Sequence, residues 1–331
     1  MLYVTTRNNC DTFPAPKALG EARAADGGWY QPFQTPELPE GLTGNEALAQ
    51  VLGQLFPCRL SRWDVDFAVG RYPVRLVNLR QKILVAELWH NPQWSFSWMA
   101  DQLQQLLTGQ PEPAGPWMKI AARIGLLTGI FGELAAHGFR EPMDIALVSG
   151  DFSGPISAWY GRKWGLPIGN ILCCCNENNG LWDLICHGQL RTDNPLIATS
   201  VPEADVPVPE QLERLISQAG GPEEVDFFLE CCRRGRTYTP EEGVFSEICR
   251  GMAASVVSSQ RLESIIKGAF DTHQYVLSPA SALAYGGLMD YRAKTGNIRP
   301  TLVLTEDTPA RRRDFVSQAL GISPEELNGI L

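Results

Sequence analysis

The segment that decides the fold is Ile83-Leu84-Val85-Ala86-Glu87-Leu88-Trp89-His90-Asn91-Pro92-Gln93-Trp94-Ser95-Phe96-Ser97-Trp98, in which a short apolar run leads into an aromatic and polar stretch. An apolar run of this length is typical of a strand that is buried on both faces. Three further runs of the same character lie at residues 145–148, 171–174 and 301–304. Helical patterns follow three of these four runs, and this alternation predicts an open α/β sheet.

The composition is that of an ordinary globular protein. The chain has 331 residues, of which 44% are apolar and 20% charged, and its formal net charge is -9. This length is enough for two core-bearing units. An acidic surface argues against nucleic acid and anionic membranes as partners. The strongest basic run, Arg311-Arg312-Arg313, is interpreted as a solvated helix face, with anion binding as the alternative.

The sequence also bears on location and on thiol chemistry. Residues 1–7 lack the apolar core of an export signal, and no apolar run reaches the ~20 residues of a membrane span, so we expect a cytoplasmic protein. Its nine cysteines are then interpreted as free thiols. Adjacent residues of a strand point to opposite faces, so Cys173-Cys174-Cys175 predicts a buried strand and no metal site. Elsewhere, too, no histidine or cysteine spacing matches a metal-ligand set.

Four short motifs mark helix starts. Thr239-Pro240-Glu241-Glu242 and Ser323-Pro324-Glu325-Glu326 each offer a hydroxyl at the N-cap, a proline at the first helical position and a glutamate at the third. Ser278-Pro279 and Thr308-Pro309 offer the cap and the proline alone.

A longer helix is predicted from about residue 117 to residue 137, with Gly138 as its stop signal. Two proline-rich segments, 109–116 and 201–209, predict connectors, because proline lacks the amide that regular structure needs.

Several motifs, met in order along the chain, resemble those of threonine synthases. Asp26-Gly27-Gly28-Trp29-Tyr30-Gln31-Pro32 is similar to a specific signature of the family's N-terminal domain. The loop from Val148 to Gly154 is similar to the family's Ser-Gly-Asn-Phe-Gly loop. Further matches are Thr5-Thr6-Arg7, residues 117–122, residues 163–168, Asn176-Glu177-Asn178, Gly188-Gln189, residues 278–285 and residues 305–310. The resemblance implies pyridoxal-phosphate fold type II, related to the tryptophan synthase β chain: an open, mostly parallel sheet with helices on both faces and a small N-terminal α+β domain.

The family's cofactor lysine is replaced in this chain. Residues 87–98 resemble the family's lysine segment, Leu-Phe-His-Gly-Pro-Thr-Leu-Ala-Phe-Lys-Asp, and the lysine position corresponds to Ser97. A serine hydroxyl cannot condense with an aldehyde, so Schiff-base catalysis is impossible from this position. We therefore expect no cofactor and assign no confident catalytic residue. Pyridoxal phosphate is expected only if another lysine takes over, and Lys119 is the candidate, because the matching helix start faces the family's active site.

The resemblance also suggests the domain boundaries. We predict an N-terminal domain at residues 1–82, a remnant of a small domain with its linker at 83–116, and a large α/β domain at 117–331. Between Leu107 and Trp117 the family inserts most of a small α/β domain, with a loop that holds the substrate carboxylate. A linker of the length found here is too short to contain a helix and a strand, so the substrate half of the cleft is expected to be missing.

The remaining candidate residues form a degenerate anion or cofactor site. The phosphate-loop-like segment consists of Ser149, Gly150, Asp151, Phe152, Ser153 and Gly154. A loop between a strand and a helix favours anions, but Asp151 replaces asparagine and repels phosphate, and the competing interpretation is that Asp151 or Ser153 simply caps the helix.

Two further positions follow from the resemblance. Thr305 matches the residue that bonds the pyridine nitrogen, with local backbone bonding as the alternative. His90 matches a residue of the substrate pocket, with a structural histidine as the alternative.

Four tryptophans cluster around the altered segment: Trp89, Trp94, Trp98 and Trp117. Either they fill a cavity left by the cofactor and the small domain, or they form an exposed face near Trp94 and Trp98 for a protein partner or for self-association.

The sequence leaves three functions open. The first is a pseudoenzyme that acts by binding a ligand or partner. The second is a lyase that converts O-phosphohomoserine to threonine through a relocated lysine. The third is an unrelated binding or hydrolytic role on the same scaffold.

Overall fold

The computed structural model describes residues 1–56, 58–71, 74–89 and 95–331. Within these ranges the strands are β1 (Leu2–Thr5), β2 (Phe13–Pro14), β3 (Tyr30–Pro32), β4 (Arg75–Leu79), β5 (Ile83–Glu87), β6 (Met143–Val148), β7 (Ile168–Cys175), β8 (Leu190–Arg191), β9 (Thr237–Tyr238), β10 (Met252–Val256) and β11 (Thr301–Thr305). The helices are α1 (Ala15–Gly20), α2 (Gly44–Leu55), α3 (Arg62–Val69), α4 (Phe96–Thr108), α5 (Pro116–Ala136), α6 (Ser153–Lys163), α7 (Gly180–His187), α8 (Leu212–Arg234), α9 (Glu242–Cys249), α10 (Leu262–His273), α11 (Pro279–Thr295), α12 (Arg313–Leu320) and α13 (Pro324–Ile330).

A six-stranded sheet of order β10-β7-β6-β11-β5-β4 forms the centre of the molecule. Every neighbouring pair is parallel except β4 and β5, which form an antiparallel edge. All four apolar runs predicted as strands are found in this sheet. The expected α/β class with a mostly parallel sheet is confirmed.

The strands alternate their side chains between two hydrophobic cores. In β11, Leu302 and Leu304 face one core and Val303 faces the other. Helices α4 to α8 pack into the first core, and α10 to α13 pack into the second. Helices therefore cover both faces of the sheet, which explains why its strands read as continuous apolar runs.

The N-terminal residues build a separate small sheet. Strand β1 pairs antiparallel with β2 on one side and with β3 on the other. The buried residues Tyr3 and Tyr30 of this sheet belong to the same core as α2 and α5. The N-terminal unit is thus an α+β layer that packs directly on the large sheet's helices. The boundary predicted between residues 82 and 83 falls inside the β4–β5 hairpin, so the large sheet takes β4 from the N-terminal side of the boundary and its other five strands from the C-terminal side.

The helix predictions are confirmed with one exception. Ser323 begins α13 with a capping box, Ser278 caps α11, and α5 ends one residue before His137. The start predicted at Thr239 is wrong, because α9 begins only at Glu242. The preceding Tyr238 pairs with Leu190 in the β8–β9 ladder, so Thr239 and Pro240 lie in the segment that connects β9 to α9.

The cysteine triplet lies in β7 as predicted. Cys173 and Cys175 face one core and Cys174 faces the other, and all three are buried. Burial raises the pKa of each thiol above its ordinary value, so the three stay protonated. Among the described residues, no cluster of histidine, cysteine or carboxylate side chains has the arrangement of a metal site. No helix in that part of the chain is long and apolar enough to cross a membrane.

Close packing of α5 against the segment just before α2 gives a stability prediction. A Cβ atom added to Gly132 in α5 would collide with the backbone carbonyl oxygen of Leu42. Because backbone cannot rotate out of the way, we expect Gly132→Ala to lower the free energy of unfolding by about 1–3 kcal/mol, measured by urea denaturation. The matched control is Gly268→Ala in α10, where a Cβ meets no atom within 4 Å. This control should be more stable by about 0.5–1 kcal/mol. A Gly132→Ala protein as stable as the wild type would contradict the packing described.

Candidate functional site

A cavity of about 370 Å³ lies where β6 and β11 end, at the carboxyl edge of the sheet. Ligands of open α/β sheets bind at this edge, because loops and helix starts surround the strand ends there. Most of the predicted site residues line this one cavity: Ser97, Lys119, Ser149, Gly150, Asp151, Ser153, Gly154 and Thr305. Phe152 does not, because its side chain is fully buried in the core. His90 lies outside the described residues.

The loop between β6 and α6 is held in one conformation by its own hydrogen bonds. Phe152 has a positive φ of 74°, and its amide donates to the carbonyl of Ser149 at 2.9 Å. The Asp151 side chain accepts a hydrogen bond from the Ser153 amide at 2.9 Å. Asp151 therefore places a carboxylate on the first amide of α6, where it competes with a bound anion. The N-cap residue itself is Phe152, so neither Asp151 nor Ser153 caps the helix.

Arg123 makes hydrogen bonds to two other segments of the site, Glu306 and Ser153. No sequence motif had identified it as a site residue. Its Nε and Nη2 atoms donate to the two carboxylate oxygens of Glu306 at 2.6 and 2.9 Å. Its Nη1 atom donates to Ser153 Oγ at 3.2 Å, and the guanidinium stacks on the Phe96 ring at 4.1 Å. Burial alone would lower the pKa of Arg123, but Glu306 holds it above its ordinary value. One signal could have found it: Arg123 follows Lys119 by one helical turn, on the same face of α5.

Thr305 uses its hydroxyl within the fold. The hydroxyl donates to the carbonyl of Ala86 at 3.2 Å and accepts a hydrogen bond from the Trp89 indole at 3.2 Å. The side chain thus ties the end of β11 to the end of β5. A hydroxyl has one proton, and here that proton goes to a backbone carbonyl.

Ser97 and Lys119 have open positions on the cavity wall. Ser97 is exposed in the first turn of α4, and Lys119 is half-buried near the start of α5. Within the described ranges, neither the Ser97 hydroxyl nor the Lys119 ammonium makes a hydrogen bond or an ion pair. Residues 109–115 join α4 to α5 without a helix or strand. The structure therefore brings the replaced position and the candidate lysine to one cavity.

The other charged groups on the wall are largely paired with one another. Arg311 Nε lies 3.3 Å from Asp307 Oδ1, an ion pair without hydrogen-bond geometry. Burial raises the pKa of Asp307 above its ordinary value, although Arg311 opposes this. Glu203 Oε1 lies 3.7 Å from Nη2 of Arg312, with which it forms an ion pair. Since Arg123 is neutralised by Glu306, Lys119 and Asp151 are the charged wall residues for which the described part of the chain provides no ion-pair partner.

The three tryptophans of this set that the structure describes differ in burial. Trp117 is only 2% exposed, and its indole donates to the Tyr3 hydroxyl at 3.0 Å, so it joins α5 to the N-terminal sheet. Trp89 and Trp98 are half-buried, and Trp94 lies outside the described residues. The most exposed aromatic side chains described are instead Trp63 and Phe67 on α3, at 79% and 92%. Sequence reasoning missed them, because exposure depends on how α3 packs.

Comparison with known proteins agrees with the motifs. No protein-family model matches the chain. Human Threonine synthase-like 1 is 24% identical over 176 residues, which cover 51% of this chain and 23% of that protein. Threonine synthase of Saccharomyces cerevisiae is 21% identical over 237 residues, which cover 64% of this chain and 46% of the yeast protein. The chain's match therefore spans about a quarter of the human relative and about half of the yeast one.

Solved structures extend the similarity to the whole chain. The pyridoxal-phosphate-bound threonine synthase from Brucella melitensis has a TM-score of 0.83 at 18% identity, covering 97% of this chain and 92% of that one. The yeast threonine synthase structure has a TM-score of 0.84 at 16% identity, covering 99% and 93%. These matches define the fold as that of the threonine synthases, pyridoxal-phosphate fold type II. Together with the sequence relatives, they make the chain similar to the threonine synthases in both sequence and fold.

The Arg123–Glu306 pair gives a prediction for the site. We expect Arg123→Met to lower the free energy of unfolding by about 2–3 kcal/mol, because the substitution leaves Glu306 and Ser153 Oγ without their buried partner. The double variant Arg123→Met/Glu306→Gln should recover part of this loss, since it no longer leaves an unpaired charge. Urea denaturation measures both. Arg191→Met is the control, because its ion pair with Asp193 is exposed and should contribute at most about 1 kcal/mol. Equal effects at Arg123 and Arg191 would show that the pairing of buried Arg123 with the partly exposed Glu306 does not support the cavity.

Proposed function

We propose that this chain is a pseudoenzyme of the threonine synthase family that has given up pyridoxal-phosphate chemistry and acts by binding a small ligand or a partner. The observation that carries the proposal is Ser97. This residue corresponds to the Schiff-base lysine of the family, it is exposed, and it lines the cavity at the carboxyl edge of the sheet. Its hydroxyl cannot form a Schiff base.

The hydrogen bonds of the cofactor-like positions support the same proposal. The Ser153 amide, which an anion at the start of α6 would use, donates to Asp151. The Thr305 hydroxyl, which would bond a pyridine nitrogen, donates to Ala86. A cofactor would have to break both bonds and would place its phosphate beside a carboxylate. These donors do not fit pyridoxal phosphate.

The connection between α4 and α5 supports the loss of substrate chemistry. The family's small domain, with its carboxylate-binding loop, belongs at this point by resemblance. Here residues 109–115 join the two helices directly. On this proposal the cavity is open on the side that a small domain would cover, and a partner near Trp94 and Trp98 remains a prediction. The cytoplasmic location expected from the sequence also remains a prediction.

Lys119 defines the test, because it lines the same cavity and is the candidate for a relocated Schiff-base lysine. Purified protein is incubated with pyridoxal phosphate, its visible spectrum is recorded, and borohydride-reduced samples are mapped by mass spectrometry. We expect no stoichiometric Schiff-base band in the wild type and no adduct at residue 119. We also expect no release of phosphate from O-phosphohomoserine.

Two variants make the test decisive. Ser97→Lys/Asp151→Asn returns the amine and removes the competing carboxylate, so this variant should gain an adduct at residue 97. Lys267→Ala controls for adducts on exposed lysines, because Lys267 lies on the surface of α10. A stoichiometric band in the wild type that disappears in Lys119→Ala would overturn the proposal and favour a working lyase.

A further inference from the structure

The cavity carries a charge pattern that selects among anions. Its lining includes three basic side chains and four carboxylates. Arg123 is paired with Glu306, and Arg311 with Asp307. The ammonium of Lys119 has no ion-pair partner in the described part of the chain. Among the described lining residues, Lys119 therefore remains the cation available to a ligand. A single ammonium neutralises a ligand that carries one negative charge.

Ser97 adds a hydrogen-bond donor to the same cavity. Its hydroxyl is exposed, lines the cavity and makes no hydrogen bond within the described ranges. The neighbouring Ser95 is engaged, because its hydroxyl accepts the Trp98 amide at 3.1 Å. Ser97 also lies in the first turn of α4, a helix of 13 residues, where the helix dipole favours negative charge. Ser97 and Lys119 together offer a hydroxyl and an ammonium, the donors that hold a carboxylate.

The loop between β6 and α6, which also lines the cavity, disfavours a doubly charged anion. Asp151 presents a carboxylate at the start of α6 and binds the Ser153 amide there. The backbone of Glu203 lies against Gly150, and the Glu203 carboxylate also lines the cavity. A phosphate at this loop would meet the Asp151 carboxylate and would have to displace it from the Ser153 amide. Two unit charges 4 Å apart repel by about 4 kcal/mol near a protein surface, and the repulsion doubles for a dianion.

We propose that the cavity binds a small organic carboxylate through Lys119 and Ser97, and that Asp151 excludes phosphate-bearing compounds. The volume of about 370 Å³ is within the roughly 300–1,000 Å³ of small-molecule sites. The inference rests on the proposed function in one respect: Lys119 must be free and not held in a Schiff base. Asp151 is then the residue that decides specificity.

The test measures anion binding to the cofactor-free protein by thermal shift, since a ligand that binds the folded state raises the melting temperature. Sodium glycolate and inorganic phosphate are titrated separately at constant ionic strength, with chloride as the balancing anion. Glycolate should stabilise the wild type and phosphate should not. Lys119→Met should weaken glycolate binding by at least roughly tenfold, and Ser97→Ala by a smaller factor. Lys267→Met, with the same charge change on the surface of α10, should bind glycolate as the wild type does.

The gain of phosphate binding tests Asp151. Asp151→Asn keeps an oxygen that can accept the Ser153 amide but removes the charge, so phosphate binding should increase by roughly tenfold or more. Asp271→Asn, an exposed substitution on α10, should produce no increase. Phosphate binding that is equal in the wild type and in Asp151→Asn would overturn the inference, as would glycolate binding that does not depend on Lys119. If one of these results is found and no Schiff-base absorption band is seen, only the inference fails and the proposed function still holds. A Schiff-base band that depends on Lys119 would instead contradict the proposed function.

Discussion

The buried guanidinium of Arg123 is the constraint on which the cavity depends. A charge removed from water must be paired and hydrogen-bonded, or it destabilises the fold by several kcal/mol. Arg123 meets this requirement only if three separate parts of the chain are in place: Glu306 after β11, Ser153 at the start of α6 and the Phe96 ring at the start of α4. One side chain of α5 therefore fixes the relative positions of the segments that form the cavity walls.

A second buried cation connects the N-terminal sheet to the same helix. Arg214 is 1% exposed, donates to the carbonyl of Tyr30 and lies over the rings of Trp29 and Trp117. Burial lowers the pKa of Arg214 to about 10, so it remains charged at neutral pH. Trp117 precedes Lys119 by two residues, and its indole is bonded to Tyr3. The N-terminal unit thereby holds the start of α5, and with it the backbone that carries Lys119.

Sequence reasoning recovered the features that depend on local chemistry and missed those that depend on distant pairing. The four buried strands were predictable because strands covered on both faces need apolar side chains at successive positions. The cap at Ser323 was predictable because its capping box is complete within four residues. Arg123 and Glu306 are 183 residues apart, so no local pattern joins them. The failure at Thr239 has the same origin, since the pairing of Tyr238 with Leu190 overrides the local helix signal.

The internal hydrogen bonds of Asp151 and Thr305 have one physical explanation. A binding site keeps polar groups unsatisfied until a ligand arrives, and this costs stability in the free protein. On the proposed function the cofactor no longer binds, so these groups can be satisfied internally. Asp151 accepts a hydrogen bond from the Ser153 amide, a local side-chain to backbone bond. Thr305 is satisfied by Ala86 and Trp89. Ser97 and Lys119 are not satisfied in this way within the described ranges. On the proposed function, Ser97 and Lys119 are therefore the polar groups of the cavity that remain available to a ligand.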